Sequence, residues 1–340
     1  MNLRKLIVSG MVATMMVGTA AKLARADDGI DDAFRAPYAE AFKGKKVAYI
    51  PLSMGIDVAQ GWTAVWKKQA DALGYQFVVR DPNWNTSVGA QALTQLIGEK
   101  PDVIIIQNPD LQSYARLAKR AEDAGIYVLQ IQQSSALQTE GFVGPDWVDL
   151  GSLLVDAIHK RCGSGTGTSG KIAILQGQLT AAASLYQIKG VTNALAKYPD
   201  LKVVSNQAAD WDASKGNAVI KTVLQQNPDL CGIVGFWDGQ DVGAAAAVDE
   251  AGLKGKVFIA TSGSGEAVTC KNITDGKFSD VVNMDIPGGA RDINTMIRFL
   301  LQTKPKPGTM KASLYVPLRV MTKENVKPSD CYTLEDLNRP

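Results

Sequence analysis

The sequence predicts an α/β protein with two lobes, each built on a doubly wound parallel β-sheet. Two observations support this prediction. Short apolar runs rich in β-branched residues alternate along the chain with helical patterns, and this alternation indicates parallel sheets with helices on both faces. The alternation also restarts after Gly144, so the residues before and after it form two similar series of strand–helix units.

The first strand–helix unit sets the pattern for the rest of the chain. Residues 47–51 form an apolar strand, and residues 53–57 form a polar loop. Apolar residues then recur at three- and four-residue spacing up to residue 73, which predicts a helix, and Gly74 stands where a helix C-cap glycine belongs. Residues 77–79 are the next strand, so the segment is a βαβ unit.

The same patterns predict the remaining elements. In the first series they are helices 88–97 and 111–124 and strands 103–106, 127–131 and 141–144. In the second series they are strands 171–175, 203–205, 231–238, 257–262, 280–285 and 314–321, and helices 150–160, 182–197, 213–226, 241–251, 266–273 and 288–302. Residues 27–43 read as a loose lead-in, and the tail beyond Asn325 as irregular.

The first 26 residues predict a secretory signal peptide. Arg4 and Lys5 precede an apolar run over residues 6–21, and residues 24–26 form an A-x-A cleavage site, so we expect a mature chain that starts at Asp27. The alternative is a membrane anchor, but the run is short and is interrupted by small polar residues. The expected location is the periplasm.

The charge balance and the motifs exclude several functions. Of 36 basic residues four lie in the predicted signal, which leaves 32 against 34 acidic residues, so nothing predicts a nucleic acid or an anionic membrane as partner. With His159 as the one histidine, neither a Ser-His-Asp triad nor a histidine-based metal site is available. The glycines of residues 163–167 precede a strand, which is the wrong context for dinucleotide binding. No catalytic motif predicts an enzyme, and no cofactor is expected.

Polar and aromatic residues follow the predicted strands, at the sheet edge where doubly wound folds bind ligands. Such a mixture suits a small polar ligand. The candidate ligand-binding residues are Asp57, Gln132, Gln133, Asp146, Trp147, Trp211, Trp237, Asp238, Ser262 and Asp285.

Four of the six tryptophans fall into two groups by position. Trp62 and Trp66 share the apolar face of the first helix, which favours core packing over ligand contact. Trp211 and Trp237 end strands of the second series, where stacking on a ligand is the favoured interpretation because aromatic faces cover apolar C–H faces of a ligand.

Four further candidates have two interpretations each. Trp84 and Trp147 lie in loops, either at the rim of the site or on the surface. Asp238 and Asp285 could accept hydrogen bonds from hydroxyl or ammonium groups of a ligand. The alternative for the two carboxylates is helix N-capping.

The order of several segments resembles a known family. They are ADALGY (70–75), GEKPDVIII (98–106), AEDAGIYVLQI (121–131), GKIAILQG (170–177), AADWD (208–212) and NPDLCGIVGFWD (227–238). Together they resemble the periplasmic sugar-binding proteins of ABC importers, of the ribose- and galactose-binding type. The resemblance covers about residues 44–322.

The resemblance implies a three-crossing hinge between a first lobe of residues 44–144 plus 286–312 and a second lobe of residues 145–285 plus 313–340. It implies a monomer that closes on a neutral sugar or polyol and then docks on an ABC permease in the inner membrane. Tryptophans and carboxylates without arginine also suit a cationic or aromatic small molecule. A ligand-sensing subunit or an enzyme on the same scaffold is a further alternative, since fold does not fix function.

The four cysteines match no metal-binding spacing, and an exported chain would meet an oxidising compartment. Three pairings are possible in principle, and free buried cysteines are the alternative. The resemblance assigns all four to the second lobe. On that basis the expected disulfides are Cys162–Cys231 and Cys270–Cys331.

Overall fold

A computed structural model describes residues 33–338 as two lobes, each with a six-stranded sheet. In the first lobe the sheet order is β2–β1–β3–β4–β5–β11, and every pair of neighbours is parallel. Its strands are β1 Lys46–Ile50, β2 Gln76–Val79, β3 Val103–Ile106, β4 Tyr127–Ile131, β5 Gly141–Gly144 and β11 Ala312–Tyr315.

The second lobe repeats this plan in the order β7–β6–β8–β9–β10–β12, where only β12 runs antiparallel to its neighbour. Its strands are β6 Lys171–Gln176, β7 Lys202–Ala208, β8 Gly232–Gly235, β9 Phe258–Gly263, β10 Asp280–Asn283 and β12 Arg319–Thr322. The predicted two-lobed α/β class is therefore confirmed.

Helices cover the sheets of both lobes. They are α1 Arg35–Phe42, α2 Asp57–Leu73, α3 Thr86–Glu99, α4 Ala115–Asp123, α5 Trp147–Cys162, α6 Ala182–Leu195, α7 Ala213–Gln226, α8 Asp238–Glu250, α9 Ala267–Thr274, α10 Ile286–Thr303 and α11 Leu334–Asn338, with a 3-10 turn over Pro328–Asp330.

The residues of β1 show why the first sheet needs helices on both faces. Val47 and Tyr49 join the core cluster that contains the α2 tryptophans, whereas the alternating Ala48 and Ile50 join a separate cluster with residues of α3 and α4. Successive side chains of a strand point to opposite faces, so a fully buried strand has to be apolar on both.

Helix α2 is fixed in the first lobe by its two tryptophans. Trp62 and Trp66 are 1% and 0% exposed, and their rings stack with centroids 6.1 Å apart, so the prediction of core packing is confirmed. Trp66 Nε1 donates to the carbonyl of Ala290 at 3.1 Å, which ties α2 to α10. Gly74 ends the helix at φ 73°, in the left-handed region that glycine adopts without strain.

Three segments connect the lobes, between β5 and α5, between β10 and α10, and between β11 and β12. Helix α5 packs on β8, β9 and β10, whereas α10 packs on α2, β4 and β5. The prediction of one strand over 314–321 is wrong: β11 pairs with β5 and β12 pairs with β10. Pro317 lies between them and cannot donate to a ladder, and the last crossing therefore lies at 316–318, after Tyr315 instead of after Lys311–Ala312.

The segment before β1 is more ordered than predicted. Residues 35–42 form α1, and Phe42 is fully buried with its ring against Tyr38 and Tyr75. The predicted signal peptide of residues 1–26 lies outside the described residues. Among residues 33–338, no helix combines the length and the hydropathy that a membrane span requires.

The last residues form a strap between the lobes, which we call the C-terminal strap (residues 331–338). Tyr332 forms an isolated β-bridge with Glu266 of the second lobe. Yet α11 packs on α2 of the first lobe, and a Cβ placed on Gly61 would lie 3.3 Å from both Leu337 Cδ1 and Tyr332 Oη. The tail was expected to be irregular and to lie within the second lobe; residues 331 and 332 are attached to that lobe, whereas residues 334–338 form a helix on the first lobe.

Both expected disulfides are present in the structure, and the described residues contain no free cysteine. Cys162–Cys231 joins the end of α5 to the residue before β8. Cys270–Cys331 joins α9 to the start of the C-terminal strap.

Candidate functional site

A small cavity lies between the lobes, at the carboxyl ends of the strands. It encloses about 40 Å³, which is room for a few water molecules. Residues that follow β1, β3 and β4 line it from the first lobe, and residues that follow β8 and β10 line it from the second. This is the position where doubly wound sheets bind ligands.

The first-lobe wall is made of glutamine amides. Gln107 Oε1 accepts from the N–H of Leu52 at 3.0 Å, and Gln107 Nε2 donates to Gln132 Oε1 at 2.7 Å. All three of Gln107, Gln132 and Gln133 line the cavity and are less than a tenth exposed. Gln132 has φ 58°, a left-handed conformation that costs a non-glycine residue about 1–3 kcal/mol.

Two of these glutamines also bridge the lobes. The carbonyl of Gln132 accepts from Trp147 Nε1 at 2.9 Å, and Trp147 is the first residue of α5. Gln133 Oε1 accepts from the N–H of Ala183 at 3.0 Å, at the N-terminus of α6, whose own N-cap side chain makes no capping bond. The side chain of Gln133 therefore caps a helix of the opposite lobe.

The second-lobe wall is aromatic. Trp211 and Trp237 meet edge to face, with ring centroids 6.3 Å apart, and Phe236 lies beside them. A Cβ on Gly177 would lie 2.1 Å from the Trp211 ring, so the ring rests directly on the backbone there. Trp237 lies over Gly239 in the same way, at 2.4 Å. Glycine is needed at both positions because any side chain would displace the indole.

Of the ten predicted site residues, six line the cavity, and the four carboxylates do not. The six are Gln132, Gln133, Trp147, Trp211, Trp237 and Ser262. Asp146 accepts from the N–H groups of Val148 and Asp149 and so caps α5. Asp285 accepts from the N–H of Gly288 and caps α10, which favours the N-capping alternative over its predicted place against the ligand.

The other two predicted carboxylates lie near each other, outside the cavity wall. Asp57 is the exposed first residue of α2. Asp238 is buried at the start of α8, where its oxygens accept from Thr269 Oγ1 at 2.6 Å and from the N–H of Gly239 at 2.9 Å. Its hydrogen-bonding capacity is thus used within the second lobe.

Burial shifts the acids behind the aromatic wall towards their neutral forms. Burial raises the pKa of Asp241 to about 7, against hydrogen bonds from Thr261 and Gln240 that lower it. Burial likewise raises the pKa values of Asp238 and Glu266, and the charges of Asp238 and Asp57 raise that of Glu266 further. These acids therefore hold their protons more tightly than exposed carboxyl groups do.

Eight residues of the wall were not among the predicted site residues, and three of these eight are polar or aromatic. Gln107 directly follows β3, so the strand-end rule could have found it. Phe236 precedes Trp237 and follows β8 in the same way, and Trp84, left open between rim and surface, lines the cavity while 46% exposed. All three follow strands, but uncharged side chains at strand ends indicate a ligand site less clearly than charged ones do.

A second depression of about 530 Å³ lies beside the connection between β5 and α5, and residues of α6 line it from the second lobe. Residues of β11 and the segment 134–139 form much of its wall. It is not enclosed by strand ends of both lobes. Among residues 33–338, no group of three or more His, Cys, Asp or Glu residues could hold a metal ion.

Comparison with known proteins agrees with this geometry. A profile of the periplasmic binding protein domain matches residues 47–305. The chain is similar to a xylitol-binding protein of Mycolicibacterium smegmatis, with 26% identity over 76% of this chain and 71% of the relative. It is also similar to the ribose import binding protein of Escherichia coli, with 26% identity over 76% of this chain and 84% of the relative.

Solved structures show the same fold. An ABC transporter solute-binding protein of Burkholderia graminis in complex with D-arabinose aligns with a TM-score of 0.74 and 26% identity, over 83% of this chain and 96% of that one. A solute-binding protein of Agrobacterium vitis bound to α-D-tagatopyranose aligns with a TM-score of 0.74 and 20% identity, over 85% and 99%.

Proposed function

Because the chain belongs to the periplasmic binding protein family, we propose that it captures a neutral sugar or polyol between its lobes for import by an ABC transporter. The observation that carries the proposal is the cavity at the strand ends, whose wall combines aromatic rings with uncharged amides. Aromatic faces suit the C–H faces of sugars, and amides suit their oxygens. The ligands in the names of the relatives, xylitol and ribose, support this class.

A cationic ligand is disfavoured by the positions of the carboxylates. Asp146 and Asp285 cap helices, and Asp238 is bound to Thr269 and Gly239. A cation in the cavity would have indole faces but no carboxylate in the wall to balance its charge.

The same geometry supports closure of the lobes on the ligand. Three connections join the lobes, and the hydrogen bond that the N–H of Ala183 donates to Gln133 Oε1 spans them. Such a bond breaks when the lobes separate, so closure and ligand burial are coupled. We propose that the mature protein starts at Asp27, acts in the periplasm as a monomer, and presents its closed form to an inner-membrane permease.

Thermal-shift screening of the mature chain against neutral sugars and polyols tests the ligand class. A ligand at a hundredfold excess over Kd adds about 2.7 kcal/mol to the free energy of unfolding, and this raises Tm by several degrees. Amines and acidic sugars serve as charged comparators and should leave Tm unchanged. Stabilisation by amines alone, or by no sugar or polyol, would contradict the proposal.

Small-angle scattering tests closure. The radius of gyration should fall when the stabilising ligand is added to saturation. An unchanged radius would mean that the lobes do not move on binding. Loss of ligand uptake on deletion of the gene, with uptake of other sugars retained, would separate a transport role from a sensing role.

A further inference from the structure

The orientation of the Gln107 and Gln132 amides is fixed by a chain of hydrogen bonds that starts at a backbone N–H. The N–H of Leu52 can only donate, so the atom 3.0 Å away has to be Gln107 Oε1. The amino group of Gln107 then faces Gln132, and its partner at 2.7 Å has to be Gln132 Oε1. The amino group of Gln132 is left with the thioether sulfur of Met284 at 3.9 Å, which is a weak acceptor.

Gln133 is oriented in the same way. The N–H of Ala183 donates to Gln133 Oε1 at 3.0 Å, so Nε2 is the remaining atom of that amide. Within residues 33–338, Nε2 of Gln133 donates no hydrogen bond, although the residue is 4% exposed and lines the cavity. Two amino groups, those of Gln132 and Gln133, are therefore available to a ligand, and both can only donate.

Acceptors for a ligand are scarcer than donors among the side chains of the wall. The Ser262 hydroxyl donates to the carbonyl of Phe236 at 2.7 Å, which leaves only its oxygen lone pairs for a ligand. Phe236, Trp211 and Trp237 offer no acceptor at all. A ligand hydroxyl turned towards these rings loses its hydrogen bond to water without gaining another.

From this excess of donors we propose that the site selects an uncharged, hydroxyl-poor sugar or cyclic polyol, such as a deoxy sugar, that presents acceptor oxygens to Gln132 and Gln133. The carbon-rich side of the ligand lies against Trp211 and Trp237. This inference rests on the proposed function and names the ligand class within it.

Calorimetry with matched ligand pairs tests the selection. The probes are D-galactose with D-fucose, its 6-deoxy form, and D-ribose with 2-deoxy-D-ribose, with D-glucosamine and D-glucuronate as charged comparators. In a pair that binds, the deoxy member should bind about five- to a hundredfold more tightly, because one uncompensated hydroxyl is removed.

Each other result has a defined meaning. Equal or tighter binding of the fully hydroxylated member overturns the inference and leaves the proposed function standing. Binding of either charged sugar as tightly as the neutral ones also overturns the inference. Absence of binding by every neutral sugar and polyol in a screen that includes these pairs overturns the inference and the proposed function together.

An isosteric substitution tests the assigned donor directly. Gln133→Glu keeps the oxygen that accepts from Ala183 and replaces the free amino group by an acceptor. It should reverse the preference within a pair and improve binding of D-glucosamine by about tenfold or more. Gln225→Glu on exposed α7 makes the same chemical change outside the cleft and should alter neither.

Gln132→Glu is a second variant for the same test, because the remaining oxygen still accepts from Gln107 Nε2 after the substitution. Thermal unfolding shows whether each variant is folded. If the folded Gln133→Glu and Gln132→Glu variants both keep the parent's preference, the amide donors do not set the selection and the inference is wrong.

Discussion

The contact between Gly177 and Trp211 allows a test in which the Trp211 ring is displaced without changing any polar group of the site. A Cβ at residue 177 would lie 2.1 Å from the indole ring, far inside the normal contact distance, and the obstacle is a side chain and not the backbone. Gly177→Ala should therefore displace the Trp211 ring. Overpacking of this kind costs about 1–3 kcal/mol of unfolding free energy. It should also weaken ligand binding about tenfold to a hundredfold, since the stacking surface is lost.

A double-mutant cycle measured by urea denaturation checks whether the stability cost arises from the clash with the Trp211 ring. In a Trp211→Ala background the added methyl group has space, so Gly177→Ala should cost less than about 0.5 kcal/mol there. The backbone N–H of Trp211 donates to Gln240 Oε1 at 2.8 Å, and truncation of the ring leaves this bond in place.

Gly98→Ala is the matched control. Gly98 lies in α3 and a Cβ there meets nothing within 4 Å, so the substitution should stabilise the protein by up to about 1 kcal/mol through helix propensity alone. If Gly177→Ala has the same cost with and without the Trp211 ring, the steric argument is refuted.

Three further predictions concern groups around the site. Burial raises the pKa of Asp241 to about 7. The protonated acid therefore stabilises the folded state below about pH 4, and this contribution to the free energy of unfolding is lost as the pH rises to 7. Asp241→Asn removes the titrating group and should flatten the fall in the free energy of unfolding over this range. Asp285→Asn should bind ligand within about twofold of the parent, because asparagine also caps helices, whereas Trp211→Ala should lose tenfold or more by calorimetry. Serine at both Cys270 and Cys331 should lower the unfolding free energy by up to about 4 kcal/mol in urea, and an unchanged midpoint would contradict this.

Sequence patterns were sufficient for the strands and helices of the two sheets because burial on both faces leaves long apolar runs. They failed where a contact distant in sequence decides the structure. Residues 35–42 carry little periodicity, yet Phe42 is buried against Tyr75 and the segment becomes helical. Residues 314–321 look like one strand, but Pro317 separates two strands that pair in different lobes.

The residues of the candidate site could be predicted only in part, again because contacts within the folded protein decide some of their roles. Glutamine and tryptophan at strand ends were found because strand ends are readable from sequence. The carboxylates were assigned to the ligand because Asp is the most conspicuous hydrogen-bond acceptor, but Asp146 and Asp285 directly precede helices and their oxygens are used as caps. Capping and ligand binding draw on the same residue types at the same positions, so sequence alone could not separate them.

Because the C-terminal strap contacts both lobes, attaching a fusion partner to it would change the free energy of lobe closure. Cys331 is bonded to Cys270 of the second lobe, while Leu337 lies against Gly61 of the first lobe. A bulky tag or surface linkage attached to the C-terminal strap pulls on contacts that bridge the two lobes. The apparent Kd then rises by the factor by which the closed population falls, with no change in the cavity itself. Attachment for binding assays therefore belongs at a site outside the C-terminal strap, or the measured affinity describes the attachment as well as the protein.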